Sequence, residues 1–379
     1  MRKLIRVTTA DISLDGLLQG QLKFLNQYFE VVGLAADTGS LAKVAEREGI
    51  RTIDVPMHRE ISLKADIKSL WQLIKVFRKE KPFIVHANTP KGSLLSLIAA
   101  KITGVPHRIY YVTGLRYQGA SGLFRFILMT MERISCFCAT KVIPEGNGVK
   151  QTLRQDHITG KPLEVIHHGN INGKDTAFWS LDQSPESRAE VRQRLGLKDD
   201  DFVFVFVGRI VNDKGMHELA SAMQRLNKDY PQCKVILVGR FEPDLDPLQP
   251  EDEKYLQTSE SIISVGLQME VRPYYAVADA LVFPSYREGF PNVVLEAGAM
   301  ELPSIVTDIN GCNEVIEEGV NGVIIPPRNA DALYAAMKNF LDNPEKVQMM
   351  ARSSRKKIQK NYEQKDVWNG YLKMYKSLG

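Results

Sequence analysis

The sequence has few cysteines and no long apolar run. The four cysteines among 379 residues are too few and too scattered for a disulfide framework, and the C-x-C spacing of Cys136 and Cys138 is neither a redox pair nor half of a zinc site. The longest apolar run, Phe202–Val207, has about the length of one strand, whereas a transmembrane helix needs roughly 20 apolar residues. Arg6 interrupts what would be the apolar core of a signal peptide. We therefore expect a cytoplasmic protein with reduced, metal-free thiols.

Charge is distributed unevenly along the chain. The formal net charge is +4, but residues 1–173 carry 24 Lys and Arg against 14 Asp and Glu, a net +10, and residues 174–379 carry a net −6. Such asymmetry indicates either an anionic partner for the first half, such as a membrane surface, phosphate or nucleic acid, or a solvated basic surface.

Short β-branched apolar runs alternate with helical patterns over most of the chain, which is typical of parallel sheets with helices on both faces. The predicted strands of the first half are Leu4–Thr9, Val31–Ala35, Ile84–Ala87, Arg108–Thr113 and Lys141–Pro144. Those of the second half are Phe202–Val207, Lys234–Val238, Ile262–Val265, Ala280–Pro284, Ser304–Thr307 and Gly322–Ile325. The predicted helices include Gly20–Phe29, Leu63–Glu80, Ser93–Thr103, Glu186–Leu195, Leu333–Leu341, Pro344–Lys360 and Lys365–Leu378.

A polar, turn-rich segment, Gly169–Leu181, separates the two series of strands. We therefore predict an α/β protein made of two doubly wound parallel-sheet domains in series. In such sheets ligands bind outside the carboxyl ends of the strands, and the cleft between two domains is the default site.

The strongest motif is the segment Phe283–Ala299, which begins where a predicted strand ends. Gly289 permits close backbone approach, and Pro291 suits the first turn of a helix. The amides of Asn292 and Val293 would then lie at a helix N-terminus, where phosphate binds readily. Two carboxylates, Glu288 and Glu296, flank this helix start; because each can accept two hydroxyl groups, the motif suits a ligand with sugar, phosphate and ribose groups.

A second motif, Phe206–Met216, also follows a predicted strand directly. Gly208 lets the chain turn, and Arg209 and Lys214 can both reach a diphosphate, the first as a planar fork and the second as a point charge. Together they could neutralise a departing diphosphate as its bond breaks.

These two strings resemble the donor-site signature of the glycosyltransferases of family 4, which have the GT-B fold. The E-x₇-E string is Glu288…Glu296, and the G-R-x₄-K-G string is Gly208-Arg209…Lys214-Gly215. The likeness extends over the whole chain, and segments such as Leu17–Gln21, Val85–Lys91 and Gly114–Gly119 are similar to the branch that makes capsular and other surface polysaccharides, lipopolysaccharide included, in bacteria.

The resemblance implies a domain organisation. Residues 1–173, with about 363–379, would form an N-terminal acceptor-binding domain, and residues 174–362 a C-terminal donor-binding domain. The last helix would cross back to the N-terminal domain.

The resemblance also implies roles for individual residues. Arg209 and Lys214 would hold the donor diphosphate, and Glu296 the nucleotide ribose. Glu288 and the segment Gly289, Phe290, Pro291 would hold the transferred sugar, Asn292 and Val293 would meet a phosphate, and Gly16, in the loop after the first strand, would approach the phosphates. Arg209, Lys214 and Glu288 are the expected catalytic residues.

The family implies a hexosyltransferase that retains anomeric configuration and needs neither metal nor cofactor. The donor would be a nucleotide sugar, by resemblance a UDP-sugar, and the acceptor a polyprenyl-diphosphate-linked or other oligosaccharide. No nucleophile stands out, which favours a front-face route in which the leaving phosphate helps to deprotonate the acceptor.

The acceptor side departs from the family pattern. Many members carry a histidine where this chain has Thr113, which cannot perform acid–base chemistry near neutral pH. The candidates for the acceptor site are Thr113 itself, His86, at a predicted strand end, and Arg116, as a contact for acceptor phosphate. A structural role for His86 remains the alternative.

The segment Leu123–Phe137 is apolar nearly all round, with Arg125 and Arg133. We interpret it as a core helix whose arginines extend to solvent. The alternative is a membrane-interface element, which would suit the basic first half. We expect a cytoplasmic protein with possible peripheral contact at the inner face of the membrane, and no nucleic-acid partner.

Two other functions remain open. A GT-B-fold nucleotide-sugar epimerase would use the same donor site but would need acid–base side chains in the cleft. A non-catalytic nucleotide-sugar-binding protein would retain the binding residues alone. A dinucleotide-dependent oxidoreductase is disfavoured because no G-x-G-x-x-G follows the first strand.

Overall fold

The computed structural model describes residues 1–58, 62–244 and 246–379. Its strands, in chain order β1 to β12, are Lys3–Ala10, Glu30–Ala36, Arg51–Asp54, Ile84–Ala87, His107–Val112, Lys141–Pro144, Phe202–Val207, Cys233–Val238, Ile262–Gly266, Ala280–Phe283, Ser304–Thr307 and Gly322–Ile325. Its α-helices, α1 to α16, are Asp11–Leu17, Gln21–Leu25, Leu41–Glu48, Leu63–Glu80, Pro90–Ile102, Gly122–Cys138, Asn147–Gln155, Arg188–Leu195, Met216–Asp229, Pro250–Thr258, Arg272–Val277, Asn292–Ala299, Cys312–Val315, Ala330–Asp342, Pro344–Asn361 and Gln364–Lys376. Short 3₁₀ helices occupy Arg116–Gly119, Leu181–Gln183 and Asn212–Lys214.

The chain divides into two compact units, each built on one parallel sheet. Unit 1 comprises Met1–Gly173 and Gln364–Gly379, and unit 2 comprises Lys174–Glu363. The strand order is β3-β2-β1-β4-β5-β6 in unit 1 and β12-β11-β10-β7-β8-β9 in unit 2. Every strand pair is parallel in both sheets, so the predicted pair of doubly wound sheets is confirmed.

Both sheets are buried on their two faces, as parallel sheets in α/β proteins are. All four residues of β10 are buried, as are all but the first of β1 and of β7. The sequence shows this burial as runs of apolar residues rather than as alternation, and it is why these strands could be predicted.

The last helix, α16, packs on unit 1, as the resemblance implied. Its tyrosines Tyr371 and Tyr375 are buried against β1 and β4. Arg6, in β1, is fully buried and donates hydrogen bonds to Gln21 at 2.6 Å and to the hydroxyl of Tyr375 at 3.3 Å. One face of α16 therefore belongs to the core of unit 1.

Three local differences from the sequence predictions have physical causes. The strand β3 was not predicted because Arg51–Asp54 is a half-exposed edge strand with no apolar run. The predicted helix Gly20–Phe29 is restricted to α2, which begins after the left-handed Gly20. Gly16, predicted in a loop, lies in helix α1, where an added Cβ would meet no atom within 4 Å.

Within the described ranges, no helix combines the length and the apolar character needed to cross a membrane.

Candidate active site

The two sequence motifs of unit 2 follow neighbouring strands. β7 and β10 pair at the middle of the sheet, and the chain leaves them toward opposite edges, to β8 and to β11. Where strand order reverses in this way, the loops after the two strands diverge and leave a crevice at the carboxyl ends. The loop after β7 carries Arg209 and Lys214, and the loop after β10 carries Glu288.

Direct contacts fix the two loops against each other. The amide of Tyr286 donates to the carbonyl of Asp213 at 2.9 Å, and the guanidinium of Arg287 donates to its carboxylate at 2.8 Å. Gly215 has a φ of +73°, and a Cβ at this position would lie 2.1 Å from the carbonyl oxygen of Pro284. Gly215, the second glycine of the G-R-x₄-K-G string, is therefore required by the close approach of the loops.

The cationic residues of the first loop differ in their surroundings. Lys214 forms an ion pair with Glu288, and both side chains are mostly buried, at 12% and 20% exposure. The hydroxyl of Ser285 donates to the same carboxylate at 3.2 Å. Arg209 is 45% exposed, with its nearest carboxylate, that of Glu242, at 3.7 Å. Lys214 is thus positioned by the loop, whereas Arg209 extends toward solvent.

Glu296 lies on α12 and contacts two residues that the sequence analysis did not identify. Its carboxylate accepts hydrogen bonds from Nζ of Lys174 at 2.5 Å and from the hydroxyl of Tyr275 at 3.2 Å. Burial and the nearby carboxylate raise the pKa of Tyr275 well above its ordinary value, so this hydroxyl stays a donor. No spacing rule links Lys174 to Glu296, because 122 positions separate them.

The segment between the two glutamates leads directly into α12. The helix begins at Asn292, so the amides of Asn292 and Val293 lie in its first turn, and Pro291 precedes the helix instead of starting it. Phe290 is buried, with its ring 5.6 Å from that of Tyr362. This aromatic contact packs the loop against the residue that follows α15.

The remaining predicted residue of unit 2, Gly208, follows β7 with a φ of +152°, and its amide donates to the carbonyl of Val238 at 3.0 Å. The structure therefore places the predicted donor-site residues of unit 2 on the segments that follow the carboxyl ends of β7 and β10.

His86 lies in unit 1 but has no surface available to a substrate. It is fully buried in β4, and its Nδ1 contacts the hydroxyl of Tyr375. Burial, with the charge of Arg6, lowers the pKa of His86 well below its ordinary value, so the ring is neutral. The acceptor role for His86 is wrong because the histidine is a core residue that helps to hold α16.

The other two acceptor candidates follow β5. Thr113 comes directly after the strand and is half-buried, and Arg116 is exposed at the start of a 3₁₀ helix. Arg116 lines a small pocket with Lys91 and Glu132, together with Pro90, Leu128, Met131 and Ser135. Burial raises the pKa of Glu132 to about 7, although a hydrogen bond of 2.5 Å from Tyr110 acts in the opposite direction.

Comparison with known proteins identifies the family. A family model described as glycosyl transferases group 1 matches residues 187–357, and one described as Glycosyltransferase Family 4 matches residues 23–170. The chain is 30% identical to a capsular polysaccharide biosynthesis glycosyltransferase, CapM, of Staphylococcus aureus, over all of this chain and 97% of the relative. It is 27% identical to a UDP-Gal:alpha-D-GlcNAc-diphosphoundecaprenol alpha-1,3-galactosyltransferase of Escherichia coli, over 88% and 85% of the two chains.

Solved structures share the fold. HepE of Anabaena, crystallised with UDP-glucose, superposes with a TM-score of 0.80 at 17% identity over the whole of both chains. A sucrose-phosphate synthase from Thermosynechococcus elongatus gives 0.81 at 19% identity, over 100% and 99% of the two chains. With both family models and a full-length relative in agreement, the chain belongs to glycosyltransferase family 4 and is a glycosyltransferase with the GT-B fold.

Proposed function

We propose that this glycosyltransferase transfers a sugar, with retention and without a metal ion, from a UDP-sugar to a lipid-linked or oligosaccharide acceptor in capsule, O-antigen or exopolysaccharide synthesis. The observation that carries the proposal is the gathering of Arg209, Lys214, Glu288 and Glu296 at the carboxyl ends of β7 and β10. The two cations suit the diphosphate of a nucleotide sugar, and the two carboxylates suit its hydroxyl groups.

Each side chain has a task in this proposal. Lys214 and Arg209 stabilise the diphosphate as negative charge develops on its leaving oxygen. Glu296 accepts hydrogen bonds from the ribose hydroxyls, and Glu288 from hydroxyls of the transferred sugar. Lys214 is already held by Glu288, whose carboxylate also accepts a hydrogen bond from Ser285, so little reorganisation is needed when phosphate oxygens approach the lysine.

The front-face route accounts for the transfer. The bond between the anomeric carbon and the phosphate oxygen breaks, and the electron pair leaves with the nucleoside diphosphate. The acceptor hydroxyl forms its bond on the same face of the sugar, and its proton passes to the departing phosphate oxygen. The products are a glycoside of retained configuration and UDP.

The donor and acceptor classes are supported by the relatives. HepE was crystallised with UDP and with UDP-glucose, and the E. coli relative is named for UDP-galactose and a diphosphoundecaprenol acceptor. By this likeness we infer a UDP-sugar donor and a polyprenyl-diphosphate acceptor. In unit 1 we assign the acceptor phosphates to Arg116, which is exposed after β5. The reaction would take place in the cytoplasm, at the inner face of the membrane.

A transfer assay tests the proposal. The purified protein is incubated in EDTA with radiolabelled UDP-sugars and a polyprenyl-diphosphate sugar, and lipid-soluble label is measured. We expect labelled lipid from one UDP-sugar, with α configuration if the donor is α-linked. Lys214→Ala should abolish transfer, whereas Lys228→Ala, at an exposed position of α9, should not.

The other outcomes have definite meanings. A change of sugar identity in UDP-sugar without acceptor would support the epimerase. UDP binding without either reaction, for every acceptor tried, would support a non-catalytic binding protein. An inverted product, or a requirement for metal, would contradict the proposed mechanism.

A further inference from the structure

Helix α6 presents an apolar face to solvent. We expected Leu123–Phe137 to be a core helix, but Leu123, Phe126 and Phe137 are 75%, 61% and 68% exposed. These residues recur at i, i+3 and i+14, which places them on one side of the helix. The opposite side, with Leu128 and Cys136, packs into unit 1. Helix α6 is therefore apolar on two opposite sides, of which one packs in the core of unit 1 and the other is exposed.

Helix α4 carries a second exposed apolar stripe. Leu63, Ile67 and Trp71 are 76%, 56% and 59% exposed, and they recur every four residues along one face. Lys64 and Lys68 follow directly beside two of them and are also exposed. A tryptophan that is more than half exposed on a helix rarely occurs without a partner or an interface.

The two stripes belong to one layer of the fold. Helix α5 packs between α4 and α6, so the three helices cover the same face of the sheet. At the end of α5, the ammonium group of Lys101 lies 3.4 Å above the ring of Phe137 on α6. Ten of the nineteen exposed large apolar side chains in the described parts of the chain lie on these three helices. Such clustering indicates an interaction surface.

The charge of this layer is strongly positive. The three helices contain nine Lys and Arg residues and three Asp and Glu, a net charge of +6. The three acidic side chains are already engaged: Glu132 is buried, Asp66 lies 2.7 Å from Lys91, and Glu80 lies 2.8 Å from Lys3. Lys64, Lys68 and Lys101 are exposed on these helices, whereas Arg125 has the carboxylate of Asp156 at 3.7 Å. The exposed apolar residues therefore lie on helices with a net excess of cations.

The combination of exposed apolar side chains and positive charge indicates which kind of partner binds this surface. Apolar side chains that enter the boundary of a bilayer, surrounded by lysine and arginine that meet anionic headgroups, are the features of a membrane-surface element. A second copy of the chain would bring another net charge of +6 to the same interface, which disfavours self-association. An apolar protein partner would leave the cations without a function.

We propose that unit 1 docks on an anionic lipid bilayer through the α4–α6 layer, with Leu63, Ile67 and Trp71 of α4 and Leu123, Phe126 and Phe137 of α6 inserting at the headgroup boundary. The proposed function includes contact with the membrane, and the α4–α6 layer is the surface that would make this contact. The proposal rests on the proposed function only for the reason why the protein would bind a membrane. Arg116, to which we assign the acceptor phosphates, begins a 3₁₀ helix that packs against α6. A lipid-borne acceptor diphosphate would therefore lie beside the docking surface.

Vesicle binding tests the surface without any transfer reaction. The full-length protein is sedimented with vesicles of phosphatidylcholine alone or with 30% phosphatidylglycerol, with neither donor nor acceptor present. We expect binding to the anionic vesicles, weakened by salt. The double variants Leu123→Ser with Phe126→Ser, and Lys64→Glu with Lys68→Glu, should each weaken binding by about tenfold or more. Leu267→Ser with Met269→Ser, two exposed apolar positions of unit 2, is the matched control and should bind as the wild type does.

Tryptophan fluorescence gives a second readout that a misfolded variant would not imitate. Trp71 should be quenched by vesicles that contain brominated acyl chains, and Trp71→Phe should lose this quenching while it still sediments with the vesicles. No binding to anionic vesicles, equal binding to neutral ones, or wild-type binding by both double variants would overturn the proposal. A concentration-dependent dimer that the Leu123 and Phe126 substitutions abolish would also overturn the proposal, because the layer would then be a protein interface.

The vesicle experiments measure no sugar transfer. Their outcomes are therefore separate from failure of the proposed reaction.

Discussion

Each carboxylate of the E-x₇-E string is paired with a lysine. Lys174 holds Glu296 from the start of unit 2, and Lys214 holds Glu288 from the neighbouring loop. A mostly buried carboxylate is costly unless a cation or several hydrogen bonds stabilise it. The lysines therefore fix the positions of the two groups that we assign to ribose and sugar recognition.

The pair Lys174–Glu296 can be measured by a double-mutant cycle. Both side chains are 13% exposed, so Lys174→Met should lower the free energy of unfolding by about 1–3 kcal/mol, because it leaves Glu296 without a cation. Urea unfolding measures the change. Lys174→Met combined with Glu296→Gln should cost less than the sum of the single variants. Additive costs would show that the ion pair contributes nothing.

Glu132 makes the stability of unit 1 depend on pH. Its folded-state pKa of about 7 lies above the ordinary value of 4.5, so the folded chain binds the proton more tightly than the unfolded chain. The resulting stabilisation is complete below about pH 4.5 and is lost as the pH rises through 7, up to about 3 kcal/mol. Glu132→Gln should therefore stabilise the protein at pH 8 and flatten the pH dependence of unfolding between pH 5 and 7.5. An unchanged slope in Glu132→Gln would assign the dependence to other groups.

Some of the contacts of these residues could be predicted from the sequence, and others could not. Arg209, Lys214, Glu288 and Glu296 lie in strings that follow strands, so their proximity could be predicted. Lys174 could not, because its contact is made only by tertiary folding. The burial of His86 depends on α16, almost 300 residues away, which no local pattern shows.

Among the elements, the proposed donor site depends on two loops that approach within contact distance. The short loop after β7 must pass beneath Pro284, which follows β10, and only a residue without a side chain fits at Gly215. The positive φ of this residue adds the same requirement.

Replacement of Gly215 separates the effect of the close approach to Pro284 from the effect of the positive φ. Gly215→Ala should destabilise unit 2 by about 2 kcal/mol or more and weaken UDP binding, since the Cβ would collide with the Pro284 carbonyl. Gly266→Ala is the control, because Gly266 has a similar φ of +70° but no neighbouring atom within 4 Å. Only the cost of the left-handed backbone, about 1 kcal/mol, should appear there. Equal effects of the two variants in thermal unfolding and UDP titration would contradict this explanation.

The strands were better predicted than the short helices, for a physical reason. Buried parallel strands such as β6, β7 and β11 appear as apolar runs and have the predicted bounds. Helix α1 begins without a side-chain cap and contains Gly16, so its sequence lacks the signals of a helix start. Helix α6 was identified as a helix, but its apolar outer face led us to the wrong environment.

At the scale of the whole molecule, the chain repeats one topology and then completes unit 1 with its last helix. Both sheets have the same order relative to their own first strand. The two units differ in charge, since unit 1 carries +12 and unit 2 carries −8. This difference agrees with the separate tasks that we propose for them, membrane and acceptor phosphates in unit 1 and donor recognition in unit 2.

The dependence of unit 1 on α16 gives a calorimetric prediction. Tyr371 is fully buried, so Tyr371→Ala should lower the stability of unit 1 by about 3–5 kcal/mol. Scanning calorimetry should show a lower unfolding temperature for one unit and no change in the transition that UDP stabilises. Lys373→Ala, at an exposed position of the same helix, should leave both transitions unchanged. A single transition that shifts as a whole would mean that the units unfold together.

Thermal unfolding in EDTA with UDP, GDP, ADP or CDP tests for a metal-independent UDP-sugar site at the carboxyl ends of β7 and β10. A nucleotide at about 100 times its Kd should stabilise the protein by roughly 2.7 kcal/mol, which corresponds to a shift of several degrees. We expect a shift with UDP alone, lost in Lys214→Ala and retained in Lys228→Ala. A shift with another nucleotide instead, a shift that requires metal, or an undiminished shift in Lys214→Ala would contradict it.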